Sequence, residues 1–355
     1  MTGDAAGGVW TYCLELAQAM APRDVRVTLA VMGQPLTGRR REEAAAVQNL
    51  DVRDGGFRLE WMDDPWEDVA RAGEWLLELQ DELRPDVIHL NGYAHGALPW
   101  RAPVLMVGHS CVLSWWRAVK GEAAPERYST YRREVARGLR SARLLIAPTL
   151  AMLAALDREY GPLPRHAVIA NARRAELFPP GPKEPFVFFA GRLWDEAKNA
   201  SLLDAIAPEL PWPVYVAGDA RRPDGVLRAP AALRALGPVS SGEVAQWLGR
   251  AAIYALPARY EPFGLSALEA GLAGCALVLG DIPALREVWG DAALFAPVDD
   301  PGVWRSILCA VAQDGGLRDE LARRARIRAL EHSPDRMAQA YLSAYDVLST
   351  RQGTI

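Results

Sequence analysis

The chain has 355 residues, of which half are apolar and 24% charged, with a net charge of −4. That length exceeds one ordinary domain of roughly 100–200 residues, so two are expected. The composition excludes a disordered chain, and the acidic balance offers no bulk positive field for nucleic acid. Cys13, Cys111, Cys275 and Cys309 are widely spaced with no CxxC pair. They suggest a reducing cytosol rather than a disulfide framework or a zinc site. No apolar run reaches the roughly 18 residues of a membrane span, and the start lacks the basic and apolar stretches of a signal peptide. The expected location is cytoplasmic.

The opening glycines, Gly3, Gly7 and Gly8, are followed by apolar residues at helical spacing over Val9–Met20. A doubly wound domain normally begins with a buried strand before such a turn, so the opening strand of the first domain is expected to be absent. Val25–Met32 and Phe57–Met62 read as strands, and Pro65–Leu83 as a helix. Asp86–Leu90 and Pro103–Val107 read as buried parallel strands. Glu126–Ser141 follows as a helix, Leu144–Ala147 as a strand, Thr149–Tyr160 as a helix and His166–Ala170 as a strand. Phe178–Pro185 carries four prolines and a glycine, which end regular structure and mark a linker.

Alternation then restarts, with strands at Phe186–Ala190, Val214–Ala217, Ile253–Leu256, Ala276–Leu279 and Ala293–Ala296. Helices lie between them, and three helical segments close the chain from about Val303, Leu317 and Pro334. Alternating strand and helix on both sides of one linker predicts an α/β protein of two Rossmann-like parallel-sheet domains facing a central cleft. The expected boundaries are 1–175 and 176–333, with a helix at 334–350 packing back on the first domain.

The densest chemical signal is Tyr260-Glu261-Pro262-Phe263-Gly264-Leu265-Ser266-Ala267-Leu268-Glu269, after the strand at Ile253–Leu256. Pro262 suits the first turn of a helix. Glu261 would then stand at the helix entrance and Glu269 two turns inside, about 12 Å along the axis. That is too far for a glycosidase carboxylate pair, which needs roughly 5–10 Å, but suits a grip on two ends of an extended ligand. Between them, the amides of Phe263, Gly264 and Leu265 would form an anion site. Taken singly, each glutamate reads as a cap or a solvated charge.

A second cluster, Gly191-Arg192-Leu193-Trp194-Asp195-Glu196-Ala197-Lys198-Asn199, follows the strand Phe186–Ala190. Arg192 offers a planar fork and Lys198 a compact charge. With a helix N-terminus they could neutralise a diphosphate without a metal. The acidic pairs Asp63-Asp64 and Asp299-Asp300 lie in turns beside prolines, and no metal ligand set is expected.

These residues resemble retaining glycosyltransferases of family 4, which have the GT-B architecture. The resemblance rests on the E-x7-E string Glu261–Glu269, on Gly280-Asp281-Ile282-Pro283, and on Arg192 and Lys198 one residue further apart than usual. It rests also on Gly7-Gly8-Val9 and on Val107-Gly108-His109-Ser110. It implies that Arg192 and Lys198 hold the diphosphate of a nucleotide-sugar donor and that Glu269 binds ribose hydroxyls. Glu261 would lie by the donor sugar, with Gly264 and Leu265 at the phosphates and Val239 at the base. Gly8 would lie in a loop closing over phosphate or acceptor, and His109 near the reacting carbon. The implied reaction is sugar transfer with retention, with no cofactor and no metal, to an unknown sugar, lipid-linked or small-molecule acceptor. Where the family often has Pro-Asn-Gly, this chain has Ala170-Asn171-Ala172.

The alternatives are a GT-B protein that binds nucleotide or a partner without turnover, or an epimerase or phosphorylase on the same fold. His95 reads equally as an acceptor-site or a structural histidine. Trp115-Trp116 could present one ring to a sugar, although a core reading is favoured. Arg127, Arg132, Arg133, Arg137, Arg140 and Arg143 could meet anionic lipid as a weak peripheral contact, but a solvated helix is favoured two to one.

Overall fold

The computed structural model describes residues 1–5, 7–221, 225–227 and 229–349. They form two compact units. One comprises Met1–Arg117, Glu122–Ala172 and the chain from Pro334 onward; the other comprises Ala118–Gly121 and Arg173–Ser333.

In the first unit the order is β1 (Thr2–Asp4), α1 (Gly7–Met20), β2 (Val27–Met32), α2 (Gly38–Ala45), β3 (Leu50–Asp54) and α3 (Trp66–Leu83). Then come β4 (Ile88–Leu90), β5 (Val104–Val107), α4 (Val112–Lys120), α5 (Ser129–Ser141), β6 (Leu144–Ala147), α6 (Leu150–Tyr160) and β7 (His166–Val168). All pairings are parallel, in two sheets of order β1-β2-β3 and β4-β5-β6-β7. Every residue of β5 and β6 is buried, as expected for parallel strands covered on both faces.

Two expectations need correction here. The opening strand is present: Thr2–Asp4 pairs in register with Ala30–Met32, although three residues are too few to show a hydrophobic period. Phe57–Met62 is irregular, and the strand lies earlier, at Leu50–Asp54. Gly55 and Gly56 (φ 66°) break the strand before Phe57. Phe57 and Leu59 owe their apolar character to packing with Trp75 over Ala72 and Leu76 of α3.

The second unit contains β8 (Glu184–Ala190), α7 (Ala200–Ile206), β9 (Val214–Ala217), β10 (Arg234–Gly237), α8 (Ser241–Arg250), β11 (Ala251–Leu256) and α9 (Leu265–Leu272). It continues through β12 (Ala276–Gly280), α10 (Pro283–Trp289), β13 (Leu294–Ala296), α11 (Pro301–Gln313) and α12 (Gly315–Leu330). Its six parallel strands run in the order β10-β9-β8-β11-β12-β13. Strand order therefore reverses between β8 and β11, which is where such sheets open a crevice at their carboxyl ends. The last helix, α13 (Pro334–Ser349), returns to the first unit. Its Met337, Ala338, Tyr341 and Leu348 share a core with Trp10, Tyr12, Leu16 and Met20 of α1. Residue 350, included in the expected helix, lies outside the described residues.

Candidate functional site

In the second unit the loops after β8 and β11 leave neighbouring strands at the switch point, and hydrogen bonds to backbone carbonyls stitch them together. Asn199, in the left-handed region at φ 56°, donates from Nδ2 to Pro257 O (3.1 Å) and Val298 O (2.8 Å). The Arg259 amide donates to Ala197 O at 2.8 Å. Asp195 is buried: Oδ1 accepts from the Ala197 amide (3.0 Å) and Oδ2 from Arg192 Nη2 (2.6 Å). Gly218 supports the same turn, because a Cβ there would lie 1.8 Å from Gly191 O.

This scaffold brings Lys198 and Glu261 into an ion pair, with side chains 18% and 13% exposed. The other oxygen of Glu261 accepts from the Gly264 amide at 3.2 Å. Helix α9 starts at Leu265, not at Pro262, so Glu261 stands outside it. The turn at Gly264, with φ 91°, is what delays the helix; an L side chain is strained there and would press on Leu285. The anion site shifts accordingly. Glu261 already occupies the Gly264 amide, and the first helical hydrogen bond is Leu268 N–H to Gly264 O. The amides of Leu265, Ser266 and Ala267 thus begin the helix outside its ladder.

Arg192 does not stand as a bare charge. It is paired with Asp195, its side chain is 56% exposed, and its guanidinium lies 5.3 Å from the centre of the Trp194 ring. Glu269, inside α9, forms an ion pair with Arg173 Nε at 2.8 Å, and both side chains are largely buried. The Arg173 guanidinium also stacks 5.0 Å from Phe178. Sequence reasoning missed Asp195, Asn199 and Arg173. Asp195 could have been found from its i+3 spacing to Arg192; Arg173 gave no local signal. Val239 is half-buried just beyond β10, ahead of a capping box in which Ser240 and Glu243 exchange hydrogen bonds.

In the first unit, Gly7 and Gly8 open α1 and Gly8 is exposed. His109 follows β5. Its Nε2 lies 2.9 Å from Asn91 Oδ1, and its ring meets Tyr12 edge-on with centroids 4.5 Å apart. Burial lowers its pKa to about 3, so the ring is neutral at physiological pH. His89 lies behind, between Tyr12 Oη (3.2 Å) and Tyr345 Oη (2.6 Å), and burial likewise pushes its pKa well down. His95 is structural, buried with Nε2 2.9 Å from Val69 O. Trp115 and Trp116 are half-buried in α4, and Trp116 packs on Tyr128. Much of the arginine cluster is paired: Arg132 donates to Glu159 O, and Arg133 and Arg137 both engage Glu134.

A model of Glycosyltransferase Family 4 matches residues 6–176, and one of Glycosyl transferases group 1 matches residues 184–314. The chain belongs to glycosyltransferase family 4. The transferase is 25% identical to a D-inositol 3-phosphate glycosyltransferase of Jonesia denitrificans, across 97% of its own length and 92% of that protein's. It is 29% identical to a phosphatidyl-myo-inositol mannosyltransferase of Mycolicibacterium smegmatis, over 55% of this chain and 54% of that one. Among solved structures it resembles the sucrose-phosphate synthase of Thermosynechococcus elongatus. The TM-score is 0.80 at 18% identity, covering 99% of this chain and 96% of that one. It also resembles Anabaena HepE in complex with UDP-glucose, with TM-score 0.77, 18% identity, and coverage of 98% and 99%. Those structural likenesses speak for the fold, which is GT-B with two Rossmann-like units. By its family the chain is a glycosyltransferase. Among the described residues, no helix is long and apolar enough to cross a membrane.

Proposed function

We propose that the transferase is retaining and metal-independent, with its donor diphosphate held at the β8–β11 switch point. The observation that carries this reading is the placement of Lys198, Glu261 and the first amides of α9 on two stitched loops at adjacent strand ends. As the bond from the anomeric carbon to the diphosphate breaks, negative charge grows on the leaving oxygen. Lys198, Arg192 and the amides of Leu265, Ser266 and Ala267 meet that charge. For Arg192 and Lys198 to do so, Asp195 and Glu261 must share them with the phosphate.

Glu269 receives the ribose hydroxyls, Val239 meets the base, and Glu261 faces the donor sugar. The family resemblance assigns Gly8 to a loop over phosphate or acceptor and His109 to the reacting carbon. The new bond forms between the anomeric carbon and an acceptor hydroxyl oxygen on the face the diphosphate leaves. The acceptor proton passes to the leaving phosphate oxygen, which balances the exchange without a further base. The names of the relatives support a phosphate-bearing polyol or its lipid-linked form as acceptor. We place the protein in the cytoplasm, with at most weak contact with a membrane face.

A thermal-shift screen against UDP-, GDP-, ADP- and TDP-sugars tests the donor site, since a ligand bound only to the folded state raises the melting point. Failure of every donor to do so would remove the site. Proton NMR of the anomeric centre in early product tests retention, and inversion would refute it.

A further inference from the structure

Asn91 joins the two sheets of the first unit. It follows β4, and its backbone amide donates to Thr2 Oγ1 at 2.8 Å while its side-chain Nδ2 donates to Thr2 O at 2.7 Å. A carbonyl can only accept, so the amide nitrogen must face Thr2 and Oδ1 must face His109. Oδ1 can only accept in turn. The proton between Oδ1 and His109 Nε2, 2.9 Å apart, therefore belongs to His109. We infer that Asn91 is a positioning residue that locks His109 in the Nε2–H form, leaving Nδ1 as a hydrogen-bond acceptor for a hydroxyl of the bound sugar or acceptor.

The surroundings are built for that lock. Tyr93, two residues on, donates from its hydroxyl to Ser110 O at 2.8 Å, tying the loop after β4 to the one that carries His109. Glu60 fixes that loop from below, accepting from the amides of Tyr93 (3.0 Å) and Ala94 (2.6 Å). Tyr12 packs its ring against the imidazole. Among the described residues Nδ1 has no hydrogen-bond partner.

The titratable groups around the ring are Tyr12 and Cys13 of α1, His89 of β4, Tyr341 and Tyr345 of α13, and the Met1 amine held on Thr28 O. Burial holds the tyrosines and the thiol protonated, and lowers His89 and the amine, the latter to about 6. All of them are predominantly neutral at pH 7, so none imposes a charge that would override the Asn91 contact.

The inference rests on the reading of His109 as a group near the reacting carbon, and the test separates the two. Long-range proton–nitrogen spectra of the 15N-histidine protein, with His109 assigned by its loss in His109→Gln, report the tautomer without any substrate. A protonated Nε2 and a bare Nδ1 are expected; the opposite pattern in the wild-type protein overturns the proposal. Asn91→Leu should mix the tautomers and lower kcat about tenfold or more, with KM less affected. A single unchanged tautomer in that variant overturns the lock.

Asn91→Asp keeps the acceptor and adds a charge. It should keep the tautomer and restore part of kcat, while raising the His109 pKa so that an acid limb enters the kcat/KM profile. No such limb would also overturn the lock. These variants are compared at matched melting behaviour. Full turnover in His109→Gln would instead remove His109 from the reaction, and with it the positioning role, whatever the spectra show.

Discussion

Replacing Lys198 by alanine does two separable things, and the structure predicts both. On the proposed donor site the ammonium assigned to the leaving phosphate is lost, which should cost about 2–4 kcal/mol of transition-state stabilisation, comparable to removing one preorganised donor. That corresponds to a roughly 30- to 1000-fold fall in kcat. The same change leaves the Glu261 carboxylate, 13% exposed, with the Gly264 amide as its remaining hydrogen-bond partner among the described residues. An orphaned, largely buried carboxylate should cost about 1–3 kcal/mol of stability, or about 2–4 °C of melting temperature per kcal/mol. Adding Glu261→Gln removes the orphaned charge. The double variant should therefore recover melting temperature without recovering turnover. Initial rates with the donor found by thermal shift, measured beside the melting curves of all three proteins, decide the matter. Turnover that returns together with stability would show that Lys198 acts through folding alone, and wild-type turnover in the single variant would remove it from the mechanism.

Glu269→Gln should weaken nucleotide binding by about 1.5–3 kcal/mol, the range of hydrogen bonds to a charged group, as read by calorimetry with the nucleoside diphosphate; unchanged affinity would remove Glu269 from the ribose site. Gly218→Ala should abolish donor binding even where the protein stays soluble, because its Cβ cannot coexist with Gly191 O; a variant that binds donor normally would contradict that packing. Stability should fall on acidification. His109, lowered to about 3 in the folded protein, stays neutral while its unfolded counterpart gains a proton below pH 6.5, so the unfolded state binds more protons as pH drops. From pH 7 to 5 this removes about 2 kcal/mol, and His109→Gln should flatten part of the slope in chemical unfolding at the two pH values. Co-sedimentation with anionic vesicles should be weak and lost at high salt, since Arg132, Arg133 and Arg137 already engage Glu159 and Glu134.

Local chemistry made much of this protein legible in its sequence. Parallel strands buried on both faces, such as Val104–Val107 and Leu144–Ala147, are continuous apolar runs, and that needs no knowledge of their neighbours. The glutamates and basic residues after the strands stood out for the same reason, because ligands in such sheets meet the carboxyl ends. The alternating segment Phe57–Met62 misled because covering a helix and lining a sheet demand the same side chains, and only the turn at Gly56 decides between them. Thr2–Asp4 gave no signal, since three residues cannot display a period.

Pairing was the province of the tertiary structure. Nothing adjacent in the chain says that Arg173 meets Glu269, that Asn199 ties the loop after β8 to the one after β11, or that Thr2 holds the Asn91 Nδ2 and leaves Oδ1 to His109. Each depends on strand order, which brings together residues 58 to 96 positions apart, and the partner so placed then sets which proton an imidazole keeps.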